Sequence, residues 1–112
     1  MRILIADGDK DQWDLYLEWL EGEGHEIFFA SSFAEAQETI AHVEQLDVGI
    51  LDCCFQQRHL RDEGDALAVR LQDRFPDIKI VWVGIIERKG TFHVSKPFGR
   101  ERFLNALRAL KT

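Results

Sequence analysis

The run Asp47-Val48-Gly49-Ile50-Leu51-Asp52-Cys53 constrains the fold more than any other stretch of this chain. Its interior is apolar and uncharged, and carboxylates stand at Asp47 and Asp52. A short run of this kind fits a strand buried on both faces, the pattern of a central strand in a parallel sheet. In an open α/β sheet, ligands and reactive groups gather at the carboxyl ends of the strands. Asp52 therefore stands where chemistry is expected. The question is which other strand ends lie beside it.

Taken in order, the chain opens with a second buried strand, Ile3-Leu4-Ile5-Ala6, which ends at Asp7-Gly8-Asp9. Trp13, Tyr16, Leu17 and Leu20 then fall at the spacing of one helix face. Asp9 and Asp11 suit the positive end of that helix dipole, and Gly22 and Gly24 stop it. Glu26 to Ala30 reads as a strand. Ser32-Phe33-Ala34-Glu35 reads as a capping box that opens a helix burying Phe33, Ala36, Ile40 and Val43. After the Asp52 strand comes a polar loop, Phe55 to Glu63. A third helix from about Gly64 to Phe75 buries Leu67, Leu71 and Phe75, and Pro76 ends it. Ile78 to Val83 is a fourth strand and Thr91 to Ser95 a short fifth. Lys96-Pro97-Phe98 follows. The last helix, about Arg100 to Lys111, buries Phe103, Leu104, Leu107 and Leu110. Strands alternating with helices imply a mainly parallel sheet covered on both faces.

Composition limits the function classes. The 112 residues suit one domain, 1–112. An apolar fraction of 46% with 30% charged residues is that of a soluble globular chain. The net charge of −6, with no basic run, argues against a nucleic-acid surface. Met1-Arg2 leads straight into a strand, with no secretory core, and no apolar stretch approaches the ~20 residues that span a bilayer. The stretch beyond Lys111 is too short for an output domain. Adjacent Cys53 and Cys54 have no partner at zinc-ligand spacing, and read as small buried thiols in a reducing, cytoplasmic compartment.

In a flavodoxin-like strand order, 2-1-3-4-5, the first and third strands are neighbours at the switch point, so Asp7, Asp9 and Asp52 converge. Crowded carboxylates at neutral pH call for a cation, and a hard one such as Mg²⁺ suits an all-oxygen site. A lysine after the fifth strand, Lys96, can hold a phosphoryl oxygen as a point charge. Each residue also has an ordinary role: an Asp at a strand end is a common turn or cap residue, and a lone Lys is usually solvated. His93 has no second imidazole at metal spacing. Trp13, Trp19 and Trp82 fit core or near-surface positions.

This constellation resembles the receiver domain of bacterial two-component response regulators, the CheY-like fold. The resemblance rests on Ile3-Leu4-Ile5-Ala6-Asp7-Gly8-Asp9, Val48-Gly49-Ile50-Leu51-Asp52 and Ser95-Lys96-Pro97-Phe98, and covers essentially the whole chain. It implies a five-stranded parallel sheet with helices on both faces. It implies that Asp52 accepts a phosphoryl group from a histidine kinase or phosphotransfer protein, that Asp7 and Asp52 help to hold Mg²⁺, and that Lys96 contacts the phosphoryl group. Asp9 stands nearby as a further candidate ligand, at a position that is not normally a ligand in the family. A downstream signalling protein is the implied output.

The chain also departs from the family pattern. Gly8 stands where the family's direct metal ligand belongs, Gly84 where a Ser or Thr reads the phosphorylation state, and His93 at the aromatic switch position. The loop after Asp52 is longer than usual and lacks the family's Pro. About six residues join the fourth and fifth strands, where a parallel crossover usually takes a dozen or more. The family's fourth helix is therefore expected to be missing or reduced to a turn. Two routes are open there: a parallel return, favoured by the Lys96-Pro97 pattern, or a hairpin through Glu87-Arg88-Lys89-Gly90. A missing helix would expose Trp82, Ile85, Ile86 or Phe92 as a surface for a homodimer or another partner. Two readings follow: a phosphoaccepting receiver, or a pseudo-receiver that works by protein contact alone. A flavodoxin is a third, but Asp7-Gly8-Asp9 offers carboxylates where a phosphate cradle would be needed.

Overall fold

The computed structural model describes residues 1–8, 10–52, 61–84, 93–95 and 99–109. Along them run β1 (Arg2–Ala6), α1 (Lys10–Leu20), β2 (Glu26–Ala30), α2 (Phe33–His42), β3 (Val48–Asp52), α3 (Arg61–Arg74), β4 (Lys79–Gly84), β5 (His93–Ser95) and α4 (Arg100–Ala109). The strands form one sheet in the order β2-β1-β3-β4-β5, and every neighbouring pair is parallel. This is the expected doubly wound order.

Alternation along each strand divides the core in two. Ile3 and Ile5 of β1, Val48 and Ile50 of β3, and Val81 and Val83 of β4 pack on one face. There they meet Tyr16, Trp19 and Leu20 of α1 and Phe103, Leu104, Ala106 and Leu107 of α4. Leu4, Ala6, Leu51 and Trp82 point the other way, against Ala36 and Ile40 of α2 and Leu67 and Leu71 of α3. Gly49 lets α3 come close to β3: a Cβ there would lie 3.0 Å from the Leu71 side chain and 3.3 Å from that of Ile80.

Local signals explain most element ends. Gly22 and Gly24 take positive φ, 80° and 76°, just past the end of α1. Ser32 caps α2 and its side chain accepts the Glu35 amide at 3.1 Å. The reciprocal half of the capping box is displaced by one residue, because the Glu35 carboxylate accepts from the Ser31 amide at 2.8 Å.

Some expectations are corrected. Leu17 is not part of the buried face of α1; it is 48% exposed, and Trp19 is buried instead. Phe33 and Val43 are only partly buried against the core. Helix α3 starts at Arg61, so residues 61–63 belong to it and not to the preceding loop. Trp82 is buried beneath α3, where a Cβ on Gly64 would approach its ring to 3.0 Å. It therefore forms no exposed docking patch, and Ile85, Ile86 and Phe92 lie outside the described residues.

The route between β4 and β5 is settled in direction. Trp82 pairs with His93 and Gly84 with Ser95 in parallel register, which excludes the hairpin. Between Gly84 and His93 the connection comprises residues 85–92, eight in all. These lie outside the described residues, and the expected loss of the family's fourth helix falls on them.

Candidate functional site

The carboxyl ends of β1 and β3 bring two acids together. Ala6 pairs with Leu51, and the next residues on the two chains are Asp7 and Asp52. They are one inter-strand spacing apart, ~4.8 Å between backbones. Alternation places Asp52 on the face of Val48 and Ile50, the side that also carries α1 and α4. The contact of Asp7 with Tyr16 of α1 puts its carboxylate on that side too.

The two acids have different surroundings. Asp52 is half-buried. Asp7 is 1% exposed, and among the described residues it is the one buried polar or charged residue. A buried carboxylate is tolerated when donors surround it. Here the Tyr16 hydroxyl donates to Asp7 Oδ2 at 3.1 Å. The Trp13 indole Nε1–H donates to the Asp7 carbonyl oxygen at 2.7 Å. The Asp7 amide donates to the Ala30 carbonyl at 3.1 Å, which continues the β1–β2 ladder by one rung.

Two residues of one helix face therefore fix the end of β1. Trp13 and Tyr16 lie one turn apart on α1, three positions being neighbours on a helix surface. Trp13 also stacks on Phe29 of β2, with ring centroids 4.8 Å apart. Tyr16 packs edge-on against Trp19 at 6.0 Å and at a tilt of 36° against Phe103 of α4 at 5.1 Å. Periodicity places both rings on one helix face and says nothing of their polar contacts. The signal for them was present: a buried Tyr hydroxyl or Trp N–H usually needs a partner, and an acid ends the strand just before this helix.

The other expected site residues are placed less fully. Asp9 and Lys96 lie outside the described residues. Lys96 directly follows Ser95, the last residue of β5, which pairs with Gly84 at the end of β4. His93 opens β5 opposite Trp82, and Cys53 and Cys54 lie outside the described residues.

The donor chemistry fits a hard divalent cation. Mg²⁺ is typically held by one or two carboxylates, with waters and substrate phosphate filling the rest of its octahedron. Asp7 and Asp52 supply two such carboxylates. Among the described residues no cluster of three or more His, Cys, Asp or Glu side chains could hold a metal by itself. None of the described helices is long and apolar enough to cross a membrane.

No family sequence model matches the chain, and no curated protein sequence matches it. Solved structures do. The receiver domain of NtrX from Brucella abortus is 30% identical, with a TM-score of 0.76, over 98% of this chain and 98% of its own. A two-component response regulator from Clostridium difficile superposes with a TM-score of 0.81 at 23% identity, covering 99% of this chain and 95% of its own. A response regulator from Thermotoga maritima gives 0.80 at 18%, covering 97% and 95%. The latter two speak to the fold. The first joins that fold to sequence identity along nearly the full length of both chains, and the chain thus belongs to the receiver-domain family of two-component response regulators.

Proposed function

We propose that Asp52 accepts a phosphoryl group from a phosphohistidine of a histidine kinase or phosphotransfer protein, and that the chain passes this signal to a downstream protein. One observation carries the reading: Asp52 is a half-buried acid at the carboxyl end of the central strand, in register beside the buried Asp7. In the transfer, an Asp52 carboxylate oxygen bonds to phosphorus and the phosphorus–nitrogen bond breaks. The electron pair of that bond stays on the imidazole, which takes up a proton. Asp7 and Asp52, with Asp9, are the residues that would hold Mg²⁺, which when bound offsets the charge on the phosphoryl oxygens. Lys96 would supply a further positive charge to the acylphosphate.

A second reading is favoured by Gly84, the last residue of β4. Glycine has no hydroxyl with which to follow the phosphoryl group, so the usual loop movement has no handle here. In this reading the domain works by protein contact without a full switch. Beryllofluoride, a phosphoryl mimic, tests both readings when added with Mg²⁺ and followed by amide NMR. The phosphoacceptor reading expects shifts at Asp7, Gly8 and Asp52. If these amides stay unmoved at saturating mimic, the site does not take a phosphoryl group. Shifts confined to the ends of β1 and β3, leaving β5 and α4 unchanged, favour the domain without the switch.

A further inference from the structure

The geometry points to Tyr16 as a positioning residue for the cation site: its hydroxyl holds the Asp7 carboxylate in the orientation from which a divalent cation shared with Asp52 is met. The inference rests on the cation reading above and adds a residue to it.

The Tyr16 ring is fully buried and its hydroxyl reaches Asp7 Oδ2 at 3.1 Å. The ring cannot easily move, being held between Trp19 at 6.0 Å and Phe103 at 5.1 Å. The backbone of Asp7 is held as firmly, its amide by Ala30 and its carbonyl by Trp13. With backbone and one carboxylate oxygen both tied, rotation of the carboxylate about its own axis is restricted. A carboxylate accepts more than one bond, so the Tyr16 contact leaves capacity for a cation. Groups that orient a metal-binding carboxylate in this way set affinity by preorganisation. The need is greater here than with a full acidic pair, because Gly8 contributes no carboxylate beside Asp7.

Mg²⁺ titration of the unmutated protein, of Tyr16→Phe and of Trp19→Phe tests this, with the Asp7 and Asp52 amides followed by NMR. Trp19→Phe alters the same aromatic cluster and keeps the hydroxyl. The expected result is binding weakened about tenfold in Tyr16→Phe, the lower end of the range typical for such supporting residues, with Trp19→Phe unchanged. Tyr16 is the chain's single tyrosine, so its labelled ring gives one signal in the unmutated protein. That signal should move with the same midpoint as the Asp52 amide. Equal affinity in Tyr16→Phe overturns the inference and leaves the cation reading intact. An equal loss in Trp19→Phe, or a tyrosine signal indifferent to Mg²⁺, overturns it likewise. If the Asp7 and Asp52 amides of the unmutated protein ignore Mg²⁺, the cation reading falls and the inference with it.

Discussion

Asp7 and its neighbour Gly8 show how much of a site depends on single side chains. Asp7 is held at amide, carbonyl and carboxylate, so its position is set by β2 and α1 together. Gly8 adds no side chain, although its place in the sequence is where the family's direct ligand belongs. A hard cation gains affinity with each carboxylate oxygen offered. Gly8→Asp should therefore tighten Mg²⁺ by roughly tenfold, ~1.4 kcal/mol, in a titration followed by amide shifts. No gain would mean that the neighbouring Asp9 already fills the role. Asp7 and Asp52 were legible in the sequence because each ends an uncharged apolar run. Tyr16 was legible only as a ring: periodicity says which face a residue takes, and is silent about where its hydroxyl points.

Elements were predicted best where a local physical signal marks them. Ser32 and the paired glycines after α1 act as their types predict. On the buried face of α1, Trp19 takes the place that periodicity assigns to Leu17. Leu17 lies about 100° around the helix from Tyr16, at the edge of the apolar stripe, while Trp19 lies nearer on the other flank. Packing, not periodicity, chose between them. The approach of α3 to the sheet was not legible at all, because it depends on what faces each glycine. At Gly49 the space for a side chain is already filled by Leu71 and Ile80. Gly49→Val forces the buried Leu71 and the partly buried Ile80 aside and should cost about 1–3 kcal/mol, as overpacking generally does. A urea titration checks this: the midpoint should fall while its slope stays unchanged. An unchanged midpoint would show that α3 can shift freely, and that β3 is not pinned beneath it.

At the scale of the whole molecule, the parallel order β2-β1-β3-β4-β5 creates the site. It makes β1 and β3 neighbours although α1, β2 and α2 separate them in sequence, and their carboxyl ends coincide in register. The alternation of strands and helices implied the parallel sheet; the strand order followed from the flavodoxin-like reading and the receiver resemblance. The short connection left two routes open for β5, and the Lys96-Pro97 pattern favoured the parallel one that its pairing with β4 shows. The parallel pairing with β4 brings Ser95, the end of β5, to the same edge of the sheet as Asp52. The central claim is that this edge serves one phosphoacceptor, Asp52. Intact-mass measurement after incubation with acetyl phosphate and Mg²⁺ tests it most directly, on the unmutated protein and on Asp52→Asn. A single phosphoryl adduct is expected on the first and none on the second. An adduct that survives in Asp52→Asn would contradict it.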